Sequence, residues 1–390
     1  MNVVKVDDII KITGRIDSSN AALAEEELVG ACDTAECVLD CEELEYISSA
    51  GLRVLLKLTK SGHKLKIINV SSEVYEIFET TGFVEILDVR KALRTIDVTG
   101  LEILGRGGTG TVYRLDADTI VKVFSEQMTL EDIEAERAHA KAAFVQGVPT
   151  AIAFDLVRVG NGYGNVYEAI NSDTLSNYII NNPDKFDEII EKYSDLLKNL
   201  SKIHLDTSKF KSYKQIVLNR CERIYELFDK EDCDLIKDIV SCMRDADTLI
   251  HGDLHPGNIM IQDGELMLID MAEISVGPSI FDLVAIYRDM GVSKTPQIKT
   301  FIEGSIGMKW EDIESVYAAL MKKYYGTEDE EIIQKNLGPV KLLYALISAV
   351  MIVLAPDEIR RKSAPIAKEK LIEGVIKPNA DTLKYIIANM

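Results

Sequence analysis

His251-Gly-Asp-Leu-His-Pro-Gly-Asn258, followed by Leu268-Ile-Asp270, is the stretch on which the reading of this chain turns. It sets a carboxylate, Asp253, five residues before an amide, Asn258, and delivers a second carboxylate, Asp270, twelve residues after that amide. The apolar runs Thr248-Leu-Ile250 and Ile259-Met-Ile261 flank the loop, and Asp263-Gly264 marks a tight turn into Leu266-Met-Leu-Ile269. That pattern predicts a hairpin whose second strand carries Asp270. Phosphoryl transfer from a nucleotide needs such a trio. One carboxylate orients the acceptor hydroxyl and takes its proton, while an amide oxygen and a second carboxylate hold magnesium on the phosphates.

Upstream, Gly105-x-Gly107-x-x-Gly110-x-Val112 lies between residues of β type, with no helical pattern directly after it. The glycines therefore predict a strand–turn–strand flap whose backbone N–H groups can approach phosphate, and not a loop that opens a helix. The next apolar strand, Ile120-Val-Lys-Val-Phe124, carries one lysine, Lys122, which is either an edge charge or a phosphate ligand. A helix predicted over 130–144 offers Glu134 and Glu136 as its partner, and Glu131 and Asp132 to complement its N-terminus. Asn165–Ile170 reads as a strand leading into the polar Asn171-Ser-Asp173, with backbone at Glu168, Ala169 and Ile170 available to an adenine edge. Asp282 opens an apolar helix, either as an N-cap or as a buried acid bracing the catalytic loop. Helices are expected over 186–204, over 213–228 and from Trp310 onward.

Residues 1 to about 95 follow a different grammar. Val3–Val6 and Ile9–Ile12 read as paired strands, and Cys37–Leu39 and Lys64–Val70 as further strands. Helices are predicted over 20–29, over 50–60 after the capping pair Ser48-Ser49, and over 74–80 after Ser71-Ser72. This is the pattern of a small α/β sandwich with helices on one face of a mixed sheet. The composition changes at Thr95–Gly100, which predicts domains over 1–95 and 96–390. The second divides into a β-rich lobe to about residue 170 and a helical lobe beyond it.

With 44 basic and 64 acidic residues the chain carries a formal charge of −20, which argues against nucleic acid or an anionic membrane as partner. The six cysteines form no C-x-x-C pair and read as reduced thiols. No charged-then-apolar leader opens the chain, so a cytoplasmic setting is expected. The apolar run 342–355, between Pro339 and Pro356, is shorter than the ~20 residues of a membrane span and predicts a buried helix.

The first half resembles the STAS domain of anti-sigma-factor antagonists through Gly14-Arg-Ile-Asp17, the segment Leu39–Leu52 and the segment Asn69–Phe83. That resemblance implies a protein partner. It also implies a phosphorylated serine directly before Gly51, where this chain has Ala50, with Ser48 in place of the usual aspartate. Ser49 remains as a possible acceptor. The second half resembles the aminoglycoside phosphotransferase and choline kinase group of the protein-kinase-like fold, through Gly105–Val112, Lys122, Glu134-Ala-Glu136, His251–Asn258, Asp270 and Asp282.

The second resemblance implies ATP and Mg²⁺ as cofactors and a small-molecule hydroxyl as acceptor. Asp253 is the implied catalytic carboxylate, and Asn258 and Asp270 the metal ligands. Lys122 is implied to bind the α/β-phosphates and to pair with Glu136, His251 to organise the loop, and His255 to reach the γ-phosphate. Two other readings stay open: a protein kinase of a partner-switching system, and a nucleotide-binding scaffold. Gly252 in place of the arginine common in protein kinases, Asp270-Met-Ala-Glu273 in place of D-F-G, and only eleven residues between Asp270 and Asp282 favour the small acceptor.

Overall fold

The computed structural model describes residues 1–170 and 172–390. Asn171, part of the expected hinge, lies outside them. The chain forms two compact units, Met1–Asp97 and Val98–Met390.

In the first unit, strands β1 (Asn2–Val6), β2 (Ile9–Ile16), β3 (Glu36–Asp40), β4 (Leu44–Ile47), β5 (Lys64–Val70) and β6 (Asp88–Lys91) make one sheet. Its order is β1-β2-β3-β5-β6, with β4 also pairing β2. Only β1–β2 is antiparallel, so the sheet is mixed, as expected. Helices α1 (Ala21–Ala31), α2 (Ser49–Lys60) and α3 (Ser72–Thr80) cross between parallel neighbours. Ile10, Ile12, Leu39, Leu65 and Ile67 sit on the buried face and pack with Leu52, Leu55, Leu58, Val74 and Phe78 of the helices. β4 and β6 were not legible in the sequence, because each is only four residues long, and β6, mostly charged, absorbs part of the basic stretch Arg90–Arg94.

In the second unit β7 (Ile103–Arg106), β8 (Gly110–Arg114), β9 (Thr119–Phe124), β10 (Ala153–Val159) and β11 (Gly162–Glu168) form an antiparallel sheet in the order β10-β11-β9-β8-β7. Lys122 stands on the central strand, opposite Val112 on one side and Asn165 on the other, which removes the edge-charge alternative. Helix α4 (Leu130–Val145) packs on β10 and β11. Its N-terminus is closed by a capping box in which Thr129 and Asp132 satisfy each other's backbone N–H groups, so Asp132 does more than complement the helix dipole.

The remainder is helical, beginning with α5 (Leu175–Asn181), α6 (Phe186–Leu200), α7 (Tyr213–Cys221) and α8 (Lys230–Ser241). α6 stops short of His204, and the segment predicted to run through 228 breaks after Cys221 into a 3₁₀ turn at Ile224–Glu226. Two small ribbons interrupt the helices: β12 (Leu249–Ile250) with β15 (Ser275–Val276), and β13 (Ile259–Gln262) with β14 (Glu265–Leu268). Asp263 and Gly264, both at positive φ, make the tight turn of the second ribbon. α9 (Ile280–Ile286) follows.

The apolar run forms helix Gly338–Met351, whose Leu343, Leu346 and Ala349 are wholly buried. Among the described residues no single helix is long and apolar enough to cross a membrane, although the bent pair formed with Glu330–Asn336 reaches that length and composition.

Because the core of the first unit is closed on itself, the fragment 1–97 is expected to unfold in one cooperative transition. Phe78→Ala is expected to destabilise it by about 3–5 kcal/mol, the cost of emptying a buried phenylalanine site. Urea titration followed by circular dichroism checks this, and a loss below ~1 kcal/mol would show that Phe78 is not a core anchor.

Candidate active site

The loop between β12 and β13 is shaped by a buried acid. Asp282, near the start of α9, accepts the backbone N–H of Gly252 at 2.8 Å and that of His251 at 3.3 Å. It braces the loop and does not cap its own helix, since Ser279 holds the cap position. Burial pushes its carboxyl above the ordinary range, and the hydrogen bonds from Gly252 and His251 only partly offset this. Gly252 sits at φ 84°, a conformation open to glycine at little cost, and so sends the chain sharply on to Asp253. His251 organises the same turn: its Nε2 meets the Ile269 carbonyl at 3.2 Å, and its Nδ1 accepts the Asp253 N–H at 3.4 Å.

Asp253 and Asn258 are joined. The Asn258 side-chain amide donates to both the carbonyl and Oδ2 of Asp253, each at 2.9 Å. Ile269 in turn donates its N–H to the Asn258 carbonyl at 3.0 Å, which ties the loop to the segment that delivers Asp270. Asp270 has φ 62°, unusual for a residue with a side chain, and its carboxylate remains 38% exposed. Lys122 reaches across from the sheet, 2.9 Å from Glu136 Oε1 and 3.4 Å from Asp270 Oδ1. Burial raises the Glu136 carboxyl above its usual value against the opposing pull of Lys122. Tyr167 adds a hydrogen bond to the same Glu136 oxygen at 3.1 Å.

The flap residues fall where the spacing put them. β7 and β8 form a hairpin closed by Gly107 N–H to the Gly110 carbonyl at 2.9 Å. Around Gly105 and Gly107 an added Cβ would meet nothing within 4 Å, whereas at Gly110 it would lie 2.2 Å from the Val123 carbonyl oxygen. The first two leave space above the strand, and the third is required by close approach of β9.

At the hinge, the Glu168 and Ala169 N–H groups bond the Ile152 and Asp118 carbonyls, so of the backbone groups expected to meet an adenine edge these two donors are already engaged. His255 also departs from expectation. It is 5% exposed, its Nδ1 accepts the Gly257 N–H at 3.1 Å, and its Nε2 faces Asp253 Oδ2 at 3.6 Å. Its ring faces the loop, which leaves little of its surface for a γ-phosphate.

Sequence reasoning missed Arg288. It lies in the π-helical turn Tyr287–Gly291, donates to Asp289 at 2.6 and 2.8 Å, and stands 3.3 Å from Asp253 Oδ1. Burial alone would lower its pKa, but Asp289 and then Asp253 outweigh that and hold it charged. Beside Asp253 opens a cleft of about 230 Å³ whose walls come from α7, α9, the Arg288 turn and helix Gly338–Met351. No sequence motif marks these wall positions, because they come from helices far apart in the chain.

The family model for the phosphotransferase enzyme family matches residues 100–314, more than half of the chain. The chain belongs to that family. The STAS domain model matches residues 1–105. An anti-sigma factor antagonist of Bordetella bronchiseptica is 38% identical over 84 residues, covering 20% of this chain and 72% of that protein. Methylthioribose kinase of Geobacillus kaustophilus is 27% identical over 138 residues, covering 34% of this chain and 33% of that enzyme. Among solved structures, an ADP-bound aminoglycoside phosphotransferase is 14% identical, with a TM-score of 0.46 over 77% of this chain and 98% of its own.

In the STAS unit of this phosphotransferase, Ser48 caps α2 by accepting the Gly51 N–H at 3.4 Å, and Ser49 is exposed at the first helical position. A Cβ on Gly51 would strike Ile16 and Ile47 at 2.7 Å, so the glycine after Ala50 is required by packing.

Asp282→Ala leaves the His251 and Gly252 N–H groups buried without an acceptor. It is expected to cost about 2–4 kcal/mol, with Asp282→Asn losing less. Denaturant titration of the full chain checks this, and a change below ~0.5 kcal/mol for the alanine variant would remove Asp282 from its bracing role.

Proposed function

We propose that this phosphotransferase uses ATP and Mg²⁺ to phosphorylate the hydroxyl of a compact small molecule seated in the cleft beside Asp253. The observation that carries the proposal is Asp253 itself, a carboxylate 41% exposed, oriented by Asn258 and Arg288, on the wall of that cleft. The acceptor oxygen attacks the γ-phosphorus and forms a new P–O bond as the bond to the β-phosphate oxygen breaks. ADP leaves, and the hydroxyl proton passes to Asp253.

The donor set fits a hard divalent cation. Asp270 presents an exposed carboxylate, and Asn258 spends its NH₂ on Asp253, which leaves its carbonyl oxygen for a metal. Bound Mg²⁺ neutralises phosphate oxygens. Lys122, fixed by Glu136, supplies a positive charge for the α/β-phosphates beneath the Gly105–Val112 flap. At the hinge, the Ile170 N–H and the Ala169 carbonyl remain to meet the base.

The size of the cleft supports a small acceptor, since drug-sized sites run to roughly 300–1,000 Å³. The short path from Asp270 also favours it over a protein substrate. One 3₁₀ turn and the two-residue strand β15 lead straight into α9, with no long segment to dock a peptide. The names of the relatives, methylthioribose kinase and aminoglycoside phosphotransferase, agree with a small-molecule alcohol.

The STAS unit we read as a docking module for a protein partner. Because Ala50 has no hydroxyl, its docking surface does not depend on the phosphoserine switch implied by the resemblance.

With an acceptor that the wild type uses, Asp253→Asn is expected to lower turnover by about 10²–10⁴-fold while ATP affinity stays within a few-fold. Asp270→Asn is expected to weaken Mg·ATP binding instead. Steady-state kinetics and nucleotide titration separate the two, and near-normal turnover in Asp253→Asn would unseat the assignment. Mass-spectrometric mapping after incubation with ATP is expected to find no stoichiometric phosphate on residues 1–97. Near-complete Ser49 phosphate that vanishes in Asp253→Asn would recast the protein as a self-phosphorylating switch.

A further inference from the structure

The cleft beside Asp253 carries as many basic as acidic side chains, which the chain as a whole does not. In a protein with 44 basic and 64 acidic residues, an average surface hollow is acid-rich. This one is lined by two guanidiniums, Arg220 and Arg288, against the carboxylates Asp253 and Glu273.

The two arginines differ in how far they are satisfied. Arg288 is saturated by Asp289 and Asp253. Arg220, near the end of α7, is not. Its side chain is only 18% exposed, and among the described residues its side-chain hydrogen bond is Nη1 to the Met351 sulfur at 2.9 Å. Among the described residues the one carboxylate near it is Glu273, at 3.8 Å, and that side chain is 65% exposed to solvent. A guanidinium presents five N–H donors in a planar fork suited to two oxygens of an anion. One weak thioether acceptor leaves most of that fork unused beside a cavity.

A third cation stands nearby. Lys294 lies 5.9 Å from the ring of Tyr344, a residue that lines the cleft. The same cleft has an apolar lining in Ile216, Val284, Ile347, Met351 and Leu354.

Resting on the phosphotransferase reading above, we propose that the acceptor is an anionic alcohol, with its hydroxyl at Asp253, an apolar segment along the Ile216–Met351 wall, and a carboxylate or phosphate group on Arg220. A cationic group in place of the anion would meet Arg220, whose guanidinium it would repel. The anion binds without reacting. The transfer at the hydroxyl keeps the same balance, with ADP and the phosphorylated alcohol as products and the proton on Asp253.

The test uses the full chain with Mg·ATP and three matched series of increasing length: ω-hydroxycarboxylates, α,ω-diols and ω-amino alcohols. ω-Hydroxyalkyl phosphates form a fourth arm that separates carboxylate from phosphate recognition. ADP release gives kcat and KM, and calorimetry with a non-hydrolysable ATP analogue present gives binding whether or not transfer occurs.

An anionic member is expected to bind at least tenfold more tightly than the diol and amine of equal length. Arg220→Gln is expected to erase that preference by raising the KM or Kd of the anion roughly tenfold or more, with little change for the diol, the size of effect a charge-assisted hydrogen bond supports. Equal or tighter binding of the amines, or an anion preference unaltered in Arg220→Gln, would overturn the proposal. Failure of the phosphotransferase reading looks different: anions bind through Arg220, yet no ADP release depends on Asp253.

Discussion

A buried carboxylate holds this site together. Asp282 takes the amides of His251 and Gly252 and so fixes the turn from which Asp253 projects. From Asp253 the order propagates through Asn258 to Ile269, and from there to Asp270 and Lys122. Each link is a hydrogen bond or ion pair between groups that would lose free energy if buried alone. The arrangement thus exists before any ligand arrives. That matters for a reaction whose catalysis is mostly positioning and charge stabilisation. The left-handed conformations of Gly252 and Asp270 mark where the chain accepts local strain to achieve it.

The two units divide the work. In the first, the core of β2, β3 and β5 under α2 and α3 leaves the start of α2 at the surface, with Ser48 engaged as a cap and Ser49 outward. Replacement of the usual phosphoserine by alanine does not disturb this packing, because the position that packing constrains is Gly51, against Ile16 and Ile47. A docking surface can therefore persist where a covalent switch has been lost. In the second unit, the residues proposed for nucleotide chemistry lie between Gly105 and Asp270, whereas the cleft beside Asp253 draws on residues as far along as Leu354.

That division explains which parts were legible. Phosphate chemistry depends on short local patterns: a glycine flap, a lysine flanked by apolar residues, a carboxylate and amide five residues apart, and an Asp-Gly turn. Local geometry converts these into approximate position, so Glu134 and Glu136 were both legible as partners of Lys122, and the structure selects Glu136. Edge strands such as β6 were hidden because charge at a sheet edge looks like loop. The surroundings of His255 and of the hinge amides were hidden for a related reason. Whether a ring faces a pocket or a loop, or whether an amide is already bonded, depends on neighbours distant in the chain.

By itself, the sequence determined the two units and the order of the motifs along the second, since each is written in contiguous periodicity and spacing. Tertiary structure alone decided that Asp282 braces rather than caps, that Lys122 is central rather than at an edge, and that Arg220 and Arg288 share one cleft with Asp253. Those arginines are 68 residues apart on separate helical segments, and no local pattern records that apolar packing brings them together. Burial and charge compensation are properties of the assembled core, which forms only when distant segments exclude water together.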